Sequence, residues 1–208
     1  DLRIGHATNV GGTSRTSNMI FDANSRISLS NNDLGTQNTI FGNLAGDDIA
    51  AGANYNVFVG FNAGHENKLG DHNIALGTAA MDASYIDDTQ DAATVNNVFI
   101  GSNTGGGTWV TAACHSNTGI GSGVMAGAMN GANNNTAVGL VSTSALTTGD
   151  FNTGIGAYSN YLVTTGSENT ALGYSSGLYN ATGSQNVYVG AFSGQGNSGD
   201  SHTGNVGV

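Results

Sequence analysis

Nine times between Asn38 and Gly190 the chain repeats one five-residue phrase: Asn, then Thr, Val or Ile, then a free position, then an apolar residue, then Gly. The copies start at Asn38, Asn56, Asn73, Asn97, Asn117, Asn135, Asn152, Asn169 and Asn186, with successive spacings of 18, 17, 24, 20, 18, 17, 17 and 17 residues. A tenth copy, Asn205-Val206-Gly207-Val208, stops one residue short of its Gly and predicts a repeat that continues in a longer chain. A roughly 17-residue period with occasional insertions predicts a solenoid, because one such unit cannot bury its apolar residues alone and must stack on its neighbours, while extra residues leave as loops. Residues 1–37 then form an N-terminal lead-in and capping segment, and residues 38–208 a solenoid of about ten coils.

Number the motif Asn as position 0. Thr, Val and Ile at position 1 and an apolar residue at position 3 suit a short strand. Residues two apart on a strand point the same way, so positions 1 and 3 are expected to form the buried stripe, with position 2 facing the opposite side. Position 2 varies from Phe58, Phe99 and Tyr188 to Gly119 and Gly154. Gly at position 4 is expected to make a corner that a side chain would block. Position 7 is small in nearly every coil (Ala45, Ala63, Ala80, Ser142, Ser159, Ser176), which would let a far wall approach closely. Parallel stacking sets each Asn over the last at about 4.8 Å, giving a rod on the order of 50 Å long. The aligned amides can then bond one another and the turn backbone as a ladder.

Charge excludes several functions. The formal net charge is −10, and residues 105–208 contain Asp150, Glu168 and Asp200 but no Lys or Arg. Such a chain cannot neutralise phosphates, so neither nucleic acid nor anionic lipid is an expected partner. No apolar run approaches the roughly 20 residues of a membrane span, so no membrane insertion is expected. With one cysteine, Cys114, no intrachain disulfide is possible.

The phrase Asn-Thr-Ala-Leu-Gly-Tyr-Ser-Ser-Gly at 169–177, with its relatives, resembles the repeats of phage tail fibres and of trimeric autotransporter adhesin heads. The segment 21–33 is similar to the lead-in that precedes such repeats in viral fibre-like proteins. This resemblance implies an all-β, left-handed parallel β-roll or β-helix, built as a homotrimer. It further implies display on a virion tail fibre or at a cell surface, and attachment to a host-surface glycan or protein receptor. The period here is longer than is usual in the adhesin heads. A second likeness, of Leu172-Gly173-Tyr174-Ser175-Ser176-Gly177 to the hexapeptide repeat of left-handed β-helix acyltransferases, implies a left-handed coil and raises acyl transfer as a rival. Only one hexapeptide of three is legible in each coil.

Candidate chemistry is sparse. Asp47, Asp48, His65, Glu66 and Asp82 fall at positions 9 and 10 of three consecutive coils, where a hard cation such as Ca²⁺ could bridge them; a solvated acidic edge is the plainer outcome. No cofactor is otherwise implied. The insertion at 81–96 carries Tyr85, Asp87 and Asp88 without an EF-hand pattern, and reads as a projecting polar loop and a receptor-binding candidate. The next insertion holds Gly105-Gly106-Gly107-Thr108-Trp109 and then Cys114-His115. Trp109 could stack on a sugar or a protein partner, or fold over the core. Adjacent Cys and His on an extended chain point apart, so His115 is counted with the receptor candidates and no catalytic residue is assigned. Recurrent Thr at position 1 raises an ice-binding surface, which placing that column in the core disfavours. The resulting expectation is a non-enzymatic attachment rod, with a structural spacer or filament subunit and a hexapeptide-type acyltransferase as rivals.

Overall fold

The computed structural model describes residues 27–28, 37–84, 94–109, 112–197, 199 and 201–208. Each motif copy forms a three-residue strand at positions 1 to 3. These are β2 (Thr39–Phe41), β3 (Val57–Val59), β4 (Ile74–Leu76), β5 (Val98–Ile100), β6 (Thr118–Ile120), β7 (Thr136–Val138), β8 (Thr153–Ile155), β9 (Thr170–Leu172) and β10 (Val187–Val189). They are preceded by β1 (Ile27–Ser28) and followed by β11 (Val206–Gly207). The eleven strands form one sheet in chain order. From β2 to β11 every pairing is parallel and in motif register: Thr39 faces Val57, Val57 faces Ile74, and so on. β1 instead runs antiparallel to β2, with Ile27 opposite Phe41. The protein is an all-β parallel solenoid, with no helix among the described residues.

The asparagines hold this register. The nine from Asn38 to Asn186 are all buried. Each side-chain oxygen accepts the backbone N–H of the Asn one coil on, at 2.8 Å for Asn38 to Asn56 and 3.0 Å for Asn117 to Asn135. Each side-chain amide donates to the carbonyl three residues before the next motif, as from Asn56 to Gly70, Asn117 to Ala132 and Asn152 to Gly166. A buried amide left unpaired is costly, so a coil that slipped by one residue would strand donors and acceptors in both neighbours.

The strand alternation is the reverse of the sequence expectation. Position 2 is the inward one: Ile40, Phe58, Ala75, Phe99, Ala137, Ala171 and Tyr188 are buried, whereas positions 1 and 3 are half-buried or exposed. Phe58, Phe99 and Tyr188 therefore lie inside each coil. The cause is the narrowness of the coil, which admits one residue of a three-residue strand. That residue meets positions 7, 8 and 11 of the far wall. The space is shared by complementary volumes. Where position 2 is bulky, position 8 is Gly: a Cβ on Gly64 would lie 2.6 Å from the Phe58 ring, and one on Gly105 2.9 Å from Phe99. Where position 2 is Ala75, Gly119 or Ala137, position 8 is Met81, Met125 or Thr143, all buried. Interiors packed to near-crystal density demand such compensation.

The corners behave as expected. Gly at position 4 has φ between +129° and +142° from Gly42 to Gly173, and a Cβ on Gly60 would lie 2.4 Å from the carbonyl oxygen of Gly77. The residue before each motif Asn takes a left-handed conformation whatever its type, with Tyr55, His72, Phe151 and Glu168 at φ +57° to +59°.

Candidate binding and assembly surfaces

Because position 2 points inward, positions 1 and 3 make the outer face of the sheet. None of the strands β2 to β10 carries a charged residue. Phe41 (53% exposed), Leu76 (42%) and Ile155 (44%) stand in one outward column, in strict register with Val59, Ile100, Ile120, Val138, Leu172 and Val189. Beside it runs the position 1 column, in which Thr118, Thr136, Thr153 and Thr170 follow one another. Tyr55 and Phe151 expose rings along the flank, and the Tyr55 ring stacks on His72 at 4.7 Å. Contiguous apolar faces larger than a few hundred Å² are uncommon on monomers.

The receptor candidates fare differently. Tyr85, Asp87 and Asp88 lie outside the described residues. Trp109 is no exposed platform: it is 1% exposed and packs edge-on against Phe99, ring centroids 5.9 Å apart, filling the interior of its coil. The large apolar side chain turns inward because its burial removes that surface from water.

His115 belongs to a second ladder that the sequence reading missed, at position −2. Here, except at Val95, the side chain accepts a backbone N–H from the preceding coil. Asp71 accepts from Asn54 (2.6 Å), Asn133 from His115 (2.8 Å), Asp150 from Asn133 (2.6 Å), Ser167 from Asp150 and Ser184 from Ser167 (both 3.0 Å). In that series His115 Nδ1 faces the Val95 N–H at 3.4 Å. The signal was present in the run of Asn, Asp, His and Ser at a constant offset, all short-reach acceptors. Cys114 beside it is buried, and burial pushes its thiol up to about 11, so no thiolate forms near neutral pH.

The acidic corner stacks as expected in the backbone, with Asp48 N–H donating to the His65 carbonyl and Glu66 N–H to that of Asp82, both at 3.1 Å. Among the described residues no three His, Cys, Asp or Glu groups gather where a metal ion could sit. Burial, reinforced by Glu66, raises the Asp82 carboxyl above the usual range, against the opposing pull of backbone hydrogen bonds and His65.

A cluster the sequence reading passed over lies on the later coils, where Tyr158, Tyr161, Tyr174 and Tyr179 surround one open cleft. Its signal was the concentration of tyrosine after residue 157 at corner positions of successive coils. Compared with known proteins, the chain matches no family, no curated protein and no solved structure.

Proposed function

We propose that this solenoid is a structural and attachment segment of a viral tail fibre or surface adhesin, in which three copies, each a left-handed coil of its own, pack side by side around a common axis. The observation that carries the reading is the uncharged outer face of positions 1 and 3, which is continuous along the rod and unpartnered in a single chain. Packing three such faces against one another would remove from water the very side chains that a lone coil cannot bury, and a closed rotation leaves none over. The likeness of 172–177 to hexapeptide coils supports the left hand. Strands β2 to β10 carry no charge, and the net charge of −10 favours rods that stay dispersed. Attachment by three copies on one stiff rod gains affinity through avidity, so individually weak contacts suffice. No covalent chemistry is needed, and the Cys114–His115 pair serves the core and the position −2 ladder.

Sedimentation equilibrium tests the assembly. The native protein should have three times the 20.8 kDa chain mass. The paired substitution Ile120→Lys and Ile155→Lys, on the outward column, should give single chains with an unchanged circular dichroism spectrum. A native single chain would overturn the assembly, and failure of labelled rods to adhere to any of a panel of bacterial and animal cells would reduce the protein to a spacer.

A second reading is favoured by one observation. The Thr column from Thr118 to Thr170 faces outward in regular register beside an aliphatic column, so the objection that it lies in the core is gone. A flat hydroxyl and methyl lattice can order water at an ice surface. Thermal hysteresis by single chains would favour this reading; trimers without hysteresis exclude it.

A further inference from the structure

We infer that the tyrosine cleft of the later coils is a binding site for a neutral saccharide. Tyr158, Tyr161, Tyr174 and Tyr179, with Leu178 and Gln195, enclose about 360 Å³. That lies toward the small end of the roughly 300–1,000 Å³ typical of ligand clefts, room for about one or two sugar rings. The site is built by coil stacking: the Tyr179 N–H donates to the Gln195 carbonyl at 3.2 Å, and the Phe192 N–H to that of Tyr174 at 2.9 Å.

The rings are set at steep angles to one another. Tyr158 meets Tyr161 at 5.7 Å and 70°, and Tyr174 at 6.0 Å and 80°, while Tyr174 meets Phe192 at 5.2 Å and 83°. Edge-to-face packing of this kind fixes each ring, and Tyr174 is half exposed. Leu178 and Ser175, both buried, line the same cleft. Fixed tyrosines with two side-chain torsions present large amphipathic surfaces at low entropic cost.

The chemistry of the lining selects the ligand. No charged side chain lines the cleft, and residues 105–208 contain no Lys or Arg. An anionic sugar, a phosphate or a sulfate would be desolvated there without a counter-charge. A quaternary ammonium would use the ring faces but leave the phenol hydroxyls and the Gln195 amide without partners. A neutral pyranose uses both: its C–H face lies on a ring, and its hydroxyls exchange hydrogen bonds with the phenols, the amide and Ser175.

The biological use of this cleft rests on the attachment reading; the binding itself does not. The test places the native protein on printed neutral, sialylated, sulfated and uronate-bearing glycans, titrates it with choline, and repeats cell adherence and sedimentation with Tyr174→Ala, Tyr174→Phe and, distant from the cleft, Phe61→Ala. Neutral glycans should bind selectively. Tyr174→Ala should weaken them about tenfold, the upper end for one aromatic contact, with Tyr174→Phe within about threefold of native and Phe61→Ala unchanged. Preference for charged glycans or choline, loss of oligomeric mass in Tyr174→Ala, or unaltered glycan binding by that variant would each overturn the inference. Adherence that survives Tyr174→Ala at full strength removes the cleft and leaves the attachment reading standing. Neutral-glycan binding that depends on Tyr174, without adherence to any cell, does the reverse.

Discussion

Asn135 stands in the middle of the ladder, and its removal tests how much the ladder holds. Its side-chain oxygen accepts the Asn152 backbone N–H at 2.8 Å and the Asn152 side-chain amide at 3.1 Å, and its own amide donates to the Gly149 carbonyl at 2.9 Å. In Asn135→Ala the Asn152 side chain keeps its bond to Gly166, and the Asn117 oxygen keeps the Asn135 backbone N–H. Two buried groups are stranded: the Asn152 N–H and the Gly149 carbonyl. At about 1–3 kcal/mol each, the expected loss is about 2–6 kcal/mol, a large part of a typical domain's stability. Asn205→Ala removes one part-buried and one exposed side-chain bond at the last described coil and should cost under about 1 kcal/mol. Asn135→Asp keeps the acceptor but turns a carboxylate on the Gly149 carbonyl and the Asn117 oxygen. Its carboxyl is therefore expected to titrate above the ordinary range, with stability recovering as pH falls. Guanidinium unfolding followed by circular dichroism, at matched protomer concentration because assembly adds mass action, reads all three. Equal midpoints and slopes for Asn135→Ala and Asn205→Ala would refute the ladder's energetic role.

Gly60→Ala sets a Cβ 2.4 Å from the Gly77 carbonyl oxygen, whereas Gly52→Ala meets nothing within 4 Å, so the first should lower the thermal midpoint well beyond the roughly 1–3 kcal/mol of positive-φ strain they share. Asp82 has a raised carboxyl pKa, so the stability it contributes is complete below the unfolded value of 3.8 and is lost as pH rises through the folded one. Asp82→Asn should therefore raise the melting temperature at pH 7 and lose that advantage toward pH 3; equal shifts at both would contradict the assignment. Cys114 should resist iodoacetamide at pH 8 in the native protein and react promptly in guanidinium, and fast native alkylation would contradict its burial.

The parts of this fold legible in the sequence are those in which each coil repeats the same residue for the same reason. Asn at position 0 and Gly at position 4 have one chemical solution each, so their columns announced the amide ladder and the corner. The direction of the strand was not legible from hydrophobicity, because position 1 is uniformly β-branched and position 3 uniformly apolar, while position 2 is a mixed column. The telling pattern was volume: bulk at position 2 accompanied by Gly at position 8, as in Phe58 with Gly64 and Phe99 with Gly105. That pairing requires the two positions to face each other across a narrow interior. The position −2 ladder was hidden because Asp, Asn, His and Ser share only an acceptor atom within short reach. Trp109 reads in the sequence both as displayed and as folded over the core, because flanking glycines look like a loop while the Phe99 ring that receives the indole is ten residues away. The cleft tyrosines converge through coil stacking and have no common motif position.

Residue-resolved backbone amide exchange of the motif asparagines tests the stacking most directly. In a registered ladder the amides of Asn56, Asn73, Asn97, Asn117, Asn135, Asn152, Asn169 and Asn186 are all buried donors to a neighbouring Asn oxygen. They should exchange slowly and together, with Asn205 faster than the rest. Exchange at Asn117, Asn135 and Asn152 near the rate of an unfolded chain would contradict the ladder and the rod built on it.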